Sequence, residues 1–158
     1  MKKVLTITMA LLLLTVSSGI ALAQVVASAT GSGQIHVSGE LRTFTFTAHT
    51  DSSGVTRGET EAFSRSAGVR WHGTIDCLDI VGNVATMSGV VTDIDPVVPP
   101  FLVVGSHIVF QVIDNGEGSN SVPDLISLTF FNGTFDTGCT GFGVFATIPV
   151  EHGNVPVH

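Results

Sequence analysis

Val69-Arg70-Trp71-His72-Gly73-Thr74-Ile75-Asp76-Cys77 puts Trp71, Ile75 and Cys77 on one face and Arg70, His72, Thr74 and Asp76 on the other. Side chains that change face at every residue mark a half-buried strand, because successive Cβ atoms of an extended chain point to opposite sides of a sheet. Just beyond it, Gly82-Asn83 supplies residues that tolerate the positive φ of a tight hairpin turn. With a two-residue turn there, Val81 faces Val84, Leu78 faces Met87 and Ile75 faces Val90, so apolar meets apolar along the ladder. The same register sets His72 opposite Asp93 and Arg70 opposite Asp95, two cross-strand charged pairs at the far end of the hairpin.

The same period extends outward. Arg42-Thr43-Phe44-Thr45-Phe46-Thr47-Ala48 carries Phe44, Phe46 and Ala48 on one face and threonines on the other. Further strands are predicted over residues 33–38, 55–64, 84–93, 106–113, 124–131, 142–150 and 154–158, with turns at Ser53-Gly54 and Asn132-Gly133. Pro156 confines the last of these to a sheet edge, where a missing ladder donor is tolerated. Asp95-Pro96-Val97-Val98-Pro99-Pro100 breaks the pattern and reads as a surface loop. No helical period competes, and no internal repeat supports a solenoid or propeller. The expectation is an all-β domain, a single antiparallel β-sandwich or small barrel of about eight to nine strands.

The chain opens with Met1-Lys2-Lys3, an apolar run from Val4 to Leu14, and Ala21-Leu22-Ala23, which together have the form of a signal peptide cleaved before Gln24. Val4 to Ala23 is long enough to span a bilayer, but no basic stop-transfer flank follows it, which favours cleavage over a retained anchor. No cysteine near the cut offers a lipid attachment point. Residues 24–158 then form one domain, secreted to the periplasm or the extracellular space.

That domain has no lysine, and four arginines against 13 acidic residues leave a formal charge of −9. Binding to nucleic acid or to an anionic membrane rests on a cationic surface, so neither partner is expected. Cys77 and Cys139 are the chain's two cysteines, and in an oxidising compartment they are expected to form a disulfide. By loop-closure entropy such a bond contributes roughly 4 kcal/mol, less any strain in the folded state.

A resemblance emerges from several strings taken together: Gly31-Ser32-Gly33, Arg42-x-Phe44-x-Phe46-x-Ala48, Ser53-Gly54-x-x-x-Gly58, His72-x-x-Ile75-x-Cys77-Leu78, Gly82-Asn83-x-Ala85, Gly89-x-Val91 and Phe110-x-Val112-x-Asp114-Asn115-Gly116-Glu117-Gly118. They resemble an uncharacterised family of small exported bacterial β-domains that occur alone or appended to larger surface proteins. Gly153-Asn154-Val155-Pro156-Val157-His158 is similar to the ending of that group. The resemblance implies a fold and no reaction, since these motifs are turn glycines, core aromatics and a hairpin.

Chemistry is sparse. There is no nucleophile elbow, zinc-protease pair, phosphate loop or dinucleotide fingerprint, and the six histidines are dispersed. One tryptophan and no tyrosine make a weak basis for carbohydrate platforms. The concentrated polar feature is Asp114 to Asp124, where Asp114, Glu117 and Asp124 offer the carboxylate oxygens that calcium prefers. The same Gly, Asn and Asp content also makes an ordinary turn. Three functional readings follow: a non-enzymatic module that binds a partner or serves structure, with calcium as a stabiliser; a barrel that carries a small apolar ligand; and an enzyme built on His72, Asp76 and Asp93. The volume inside the sheet separates the first two, because a carrier needs an open apolar cavity with convergent polar groups.

Overall fold

The computed structural model describes residues 24–96, 102–117, 122–132 and 138–158; the proposed signal segment 1–23, most of the Pro-rich loop and the tip of the acidic loop lie outside them. Among the described residues every regular element is a strand: β1 (Val25–Val37), β2 (Glu40–Asp51), β3 (Thr56–Ser64), β4 (Val69–Val81), β5 (Val84–Asp95), β6 (His107–Ile113), β7 (Leu125–Ser127), β8 (Phe130–Asn132), β9 (Thr147–Pro149) and β10 (His152–Asn154). All ten lie in one antiparallel sheet, ordered β10-β1-β2-β3-β4-β5-β6-β7-β9 with β8 also on β6, and the sheet curls into a half-barrel. The sandwich alternative therefore gives way to a single wrapped sheet.

Phe46 of β2 and Phe110 of β6 measure the curl. Three strands separate them, which in a flat sheet would set them about 19 Å apart at the usual strand spacing. Their rings instead meet edge to face with centroids 5.6 Å apart. Around them Ala29, Ala48, Ile75, Met87, Val112 and Val155 are buried as one cluster. The rings of β2 also lie down over β1, which is possible because β1 carries glycine there: a Cβ on Gly31 would stand 2.7 Å from the Phe46 ring. β9 and β10 are consecutive in the chain yet sit at opposite ends of the sheet order. The corner between them bridges the two edges, Val150 N–H donating to the Asp124 carbonyl and Glu151 N–H to that of Gln34.

The β4–β5 hairpin turns on Gly82 as the sequence indicates, with φ at +64°. Val81 pairs Val84, Leu78 pairs Met87, His72 pairs Asp93 and Arg70 pairs Asp95. Ile75 does not face Val90; it faces Gly89. Asp76 is an extra residue on β4 and Thr92 an extra residue on β5, so the ladder slips by one and then recovers. The charged pairs also differ from expectation. Arg70 and His72 turn to Glu61 on β3, with contacts of 3.6 Å and 3.3 Å, rather than to Asp95 and Asp93. Glu61 lies directly opposite His72 and diagonal to Arg70, within the reach of cross-strand neighbours.

The middle strands are covered on both faces. Ile108 to Val112 are each 2% exposed or less. On the outside, residues 138–146 cross over β5 and β6 as irregular chain, where a strand over 142–150 is predicted; only Thr147–Pro149 is strand. Two anchors hold this cover. Cys77 and Cys139 form the expected disulfide, with Cα atoms 5.7 Å apart. Gln111, buried on β6, donates from Nε2 to Thr86 Oγ1 and to the Gly143 carbonyl, and accepts the Phe145 N–H at Oε1. The predicted strand over 124–131 is split into β7 and β8 because Ser127 Oγ takes the Gln111 N–H that a ladder carbonyl would have taken.

Candidate functional site: an apolar cavity between two core clusters

The interior does not fill with one continuous core. A second cluster of Val69, Trp71, Val91, Ile94, Leu102 and Ile108 stands apart from the one around Phe46. Between them lies a cavity of about 300 Å³. Ile35, Phe44 and Ile126 of the first cluster form one wall. Val69, Trp71 and Leu102 of the second form the other, with Phe131 standing edge-on to Trp71 at a ring separation of 5.3 Å. The space is a cleft open to solvent on one side, with Glu40, Arg42 and Leu128 part-exposed at its rim, rather than a sealed void. Its physical origin is local: Ala62 on β3 pairs with Trp71 on β4, and neither Ala62 nor Ala67 brings volume to the space between the walls.

Polar groups enter from two places: Glu40, Arg42, Thr43 and Ser64 from the β1–β2 and β3–β4 ends of the sheet, and Ser127 and Thr129 from β7 and the residues after it. Arg42 has the same parity on β2 as Phe44 and Phe46, which puts it on the inward face, where its side chain lies at the rim of the cleft, 39% exposed. One of its terminal nitrogens lies 3.5 Å from Glu40 Oε2, while its Nε is buried without a hydrogen-bond partner.

The residues singled out from sequence fall elsewhere. Asp114 Oδ1 accepts the Gly116 N–H and Asp114 Oδ2 the Val157 N–H; Asp124 Oδ1 accepts the Asn115 N–H and Asp124 Oδ2 the Val155 N–H. Glu117 accepts from the Asn154 side chain. These carboxylates clamp the C-terminal segment to the loop through the backbone N–H groups of Val155 and Val157 and the side-chain amide of Asn154. Among the described residues no group of three or more histidine, cysteine, aspartate or glutamate side chains is placed to hold a metal ion, so the calcium expectation at Asp114, Glu117 and Asp124 gains no converging geometry. Nor do His72, Asp76 and Asp93 converge. His72 faces Glu61, Asp93 is exposed on β5, and Asp76 sits in the bulge, about 13 Å along β4 from His72 at the usual strand rise.

Among the described residues the one carboxyl with a markedly displaced acidity is also remote from the cavity. Asp51 closes the β2–β3 turn and is held at about 2, below its ordinary 3.8. The Ser53 hydroxyl is the main cause, followed by the Val55 N–H; the Ser53 N–H and Arg57 add to them. Displaced carboxyls often mark reactive sites, but here every partner belongs to one turn, and the effect is structural.

Arg42 and Glu40 were not identified as site residues from sequence, although the signal was present: a guanidinium on the parity of two inward phenylalanines. Among the described residues no helix is long and apolar enough to cross a membrane. Comparison with protein-family models, with curated proteins and with solved structures finds no match.

Proposed function

We propose that this chain is a secreted, non-enzymatic binding module whose curled sheet holds a small, largely apolar molecule. The cavity between the Phe44 and Trp71 walls carries the reading. Its volume of about 300 Å³ lies at the lower end of known ligand sites, which are mostly apolar with a few placed polar groups. Export is read from the signal-like segment and the disulfide agrees with an oxidising compartment.

Trp71 is the chain's single tryptophan and lines the cavity, so it reports occupancy directly. Titration with 8-bromo-1-octanol, whose bromine quenches indole fluorescence, is expected to give saturable quenching in the parent and little in Ala62→Phe, where the added ring occupies the cavity. Linear, non-saturating quenching of equal size in both proteins would count against the reading.

A further inference from the structure

We infer that Gln24 is a modification site: once the signal-like segment is removed, its α-amine closes onto its own side-chain amide, and the secreted chain begins with a pyroglutamate lactam. The inference rests on the export part of the reading above, since Ala21-Leu22-Ala23 places the cut that frees this amine. The α-nitrogen and Cδ then belong to one residue, at the spacing of a five-membered ring, so the attack is intramolecular. Because α-amines titrate at about 8 in water, a share of them is neutral and nucleophilic at neutral pH. The bond from the α-nitrogen to Cδ forms and the bond from Cδ to Nε2 breaks. The departing nitrogen takes the proton that the amine gives up and leaves as ammonia. No oxidant, reductant or co-reactant enters.

The fold leaves the reacting groups free and uses the one group that the reaction spares. Gln24 is exposed, and among the described residues its side chain has no hydrogen-bond partner. Its carbonyl accepts the Ser52 N–H at 2.8 Å, and Val25 pairs with Asp51 as the first rung of β1 on β2. Val25 and Val26 are 52% and 61% exposed, so nothing packs over this end to keep a flat ring out. The lactam retains the carbonyl, and the bond to Ser52 survives ring closure. An open end would let an aminopeptidase remove that carbonyl first and then Val25, opposite the carboxylate that organises the β2–β3 turn. Trimming would proceed into β1, which carries the buried Ala29 and Ile35. A lactam has no free α-amine for such an enzyme to grip, and it removes one terminal positive charge.

The test is the intact mass of the full chain, expressed with its own signal-like segment and recovered from outside the cytoplasm, before and after several days at neutral pH. The expected end point is the mass of residues 24–158 with the disulfide closed, less one ammonia, a loss of about 17 Da. The tryptic peptide from Gln24 to Arg42 should carry that loss and resist N-terminal sequencing. Gln24→Ala, cut at the same place, should keep its full mass and an open amine. A chain that begins at Gln24 and still has its full mass and amine after the incubation would overturn the lactam and leave export standing. The same loss in Gln24→Ala would overturn it too, by placing the lost ammonia elsewhere. An exported chain cut at another residue would overturn the lactam alone, and a chain retained with residues 1–23 attached would overturn the lactam and the export reading together.

Discussion

Ile75 on β4 faces Gly89 on β5, one position away from the partner that the Gly82-Asn83 turn by itself would assign. The slip brings the Thr74 carbonyl against β5 so closely that a Cβ on residue 89 would lie 1.8 Å from it. Gly89→Ala is therefore expected to cost about 3 kcal/mol, the upper end for overpacking, and more than an alanine at the open turn residue Gly82 despite the positive φ there. Chemical denaturation of the two variants gives the comparison. Equal small losses would mean that the ladder does not carry the bulge at Asp76.

Gln111 is 2% exposed and fixes residues 143 and 145 of the outer cover. Gln111→Leu keeps the volume but leaves the Gly143 carbonyl and the Phe145 N–H without their partner. A loss of about 2 kcal/mol is expected, with faster amide exchange at Phe145 while the Phe110 amide stays protected. Uniform acceleration at both amides would show instead that the cover and the half-barrel open together.

Asp51 ties stability to acid. Its folded value of about 2 lies below the ordinary 3.8. Its contribution is then fully present above about pH 4 and is lost as the pH falls through 2, because the unfolded chain takes up the proton first. Asp51→Asn should be less stable than the parent at neutral pH, and the two melting curves should converge between pH 4 and pH 2. A difference that is constant across that window would assign the loss to packing rather than ionisation.

Asp124 is 7% exposed and both of its oxygens receive backbone N–H groups, one from Asn115 and one from Val155. Asp124→Ala is expected to cost about 2 to 3 kcal/mol, since hydrogen bonds to a charged acceptor are the stronger kind and two donors are orphaned. Because the oxygens are already engaged, millimolar calcium should leave the melting temperature of the parent unchanged. A rise that grows with calcium concentration would restore the ion-binding reading of this loop.

Much of the scaffold is legible in the residues. Period two identifies β2, β4 and β5, Gly82 fixes the hairpin, and a lone pair of cysteines behind a signal-like segment points to the disulfide. What escapes is long-range. A bulge leaves alternation intact on either side and merely adds a residue, so Asp76 and Thr92 look like ordinary strand positions; Gly89 is the trace it leaves. Phe142 to Val150 alternates well enough to be read as strand, yet the backbone there answers to the Gln111 side chain on a distant strand. The cavity is the least legible of all, because it depends on how far apart the Phe46 and Trp71 clusters settle. Arg42 is the part of the site that parity alone reveals.

The most direct test of the cavity is methyl NMR of the parent protein titrated with 1-octanol. Saturable shifts at Ile35, Ile126, Val69 and Leu102, with the packed core methyls of Ala85 and Val112 unmoved, are the expected result. Shifts that fail to saturate, or that centre on exposed residues such as Val122 and Val144, would contradict a binding site between the two clusters.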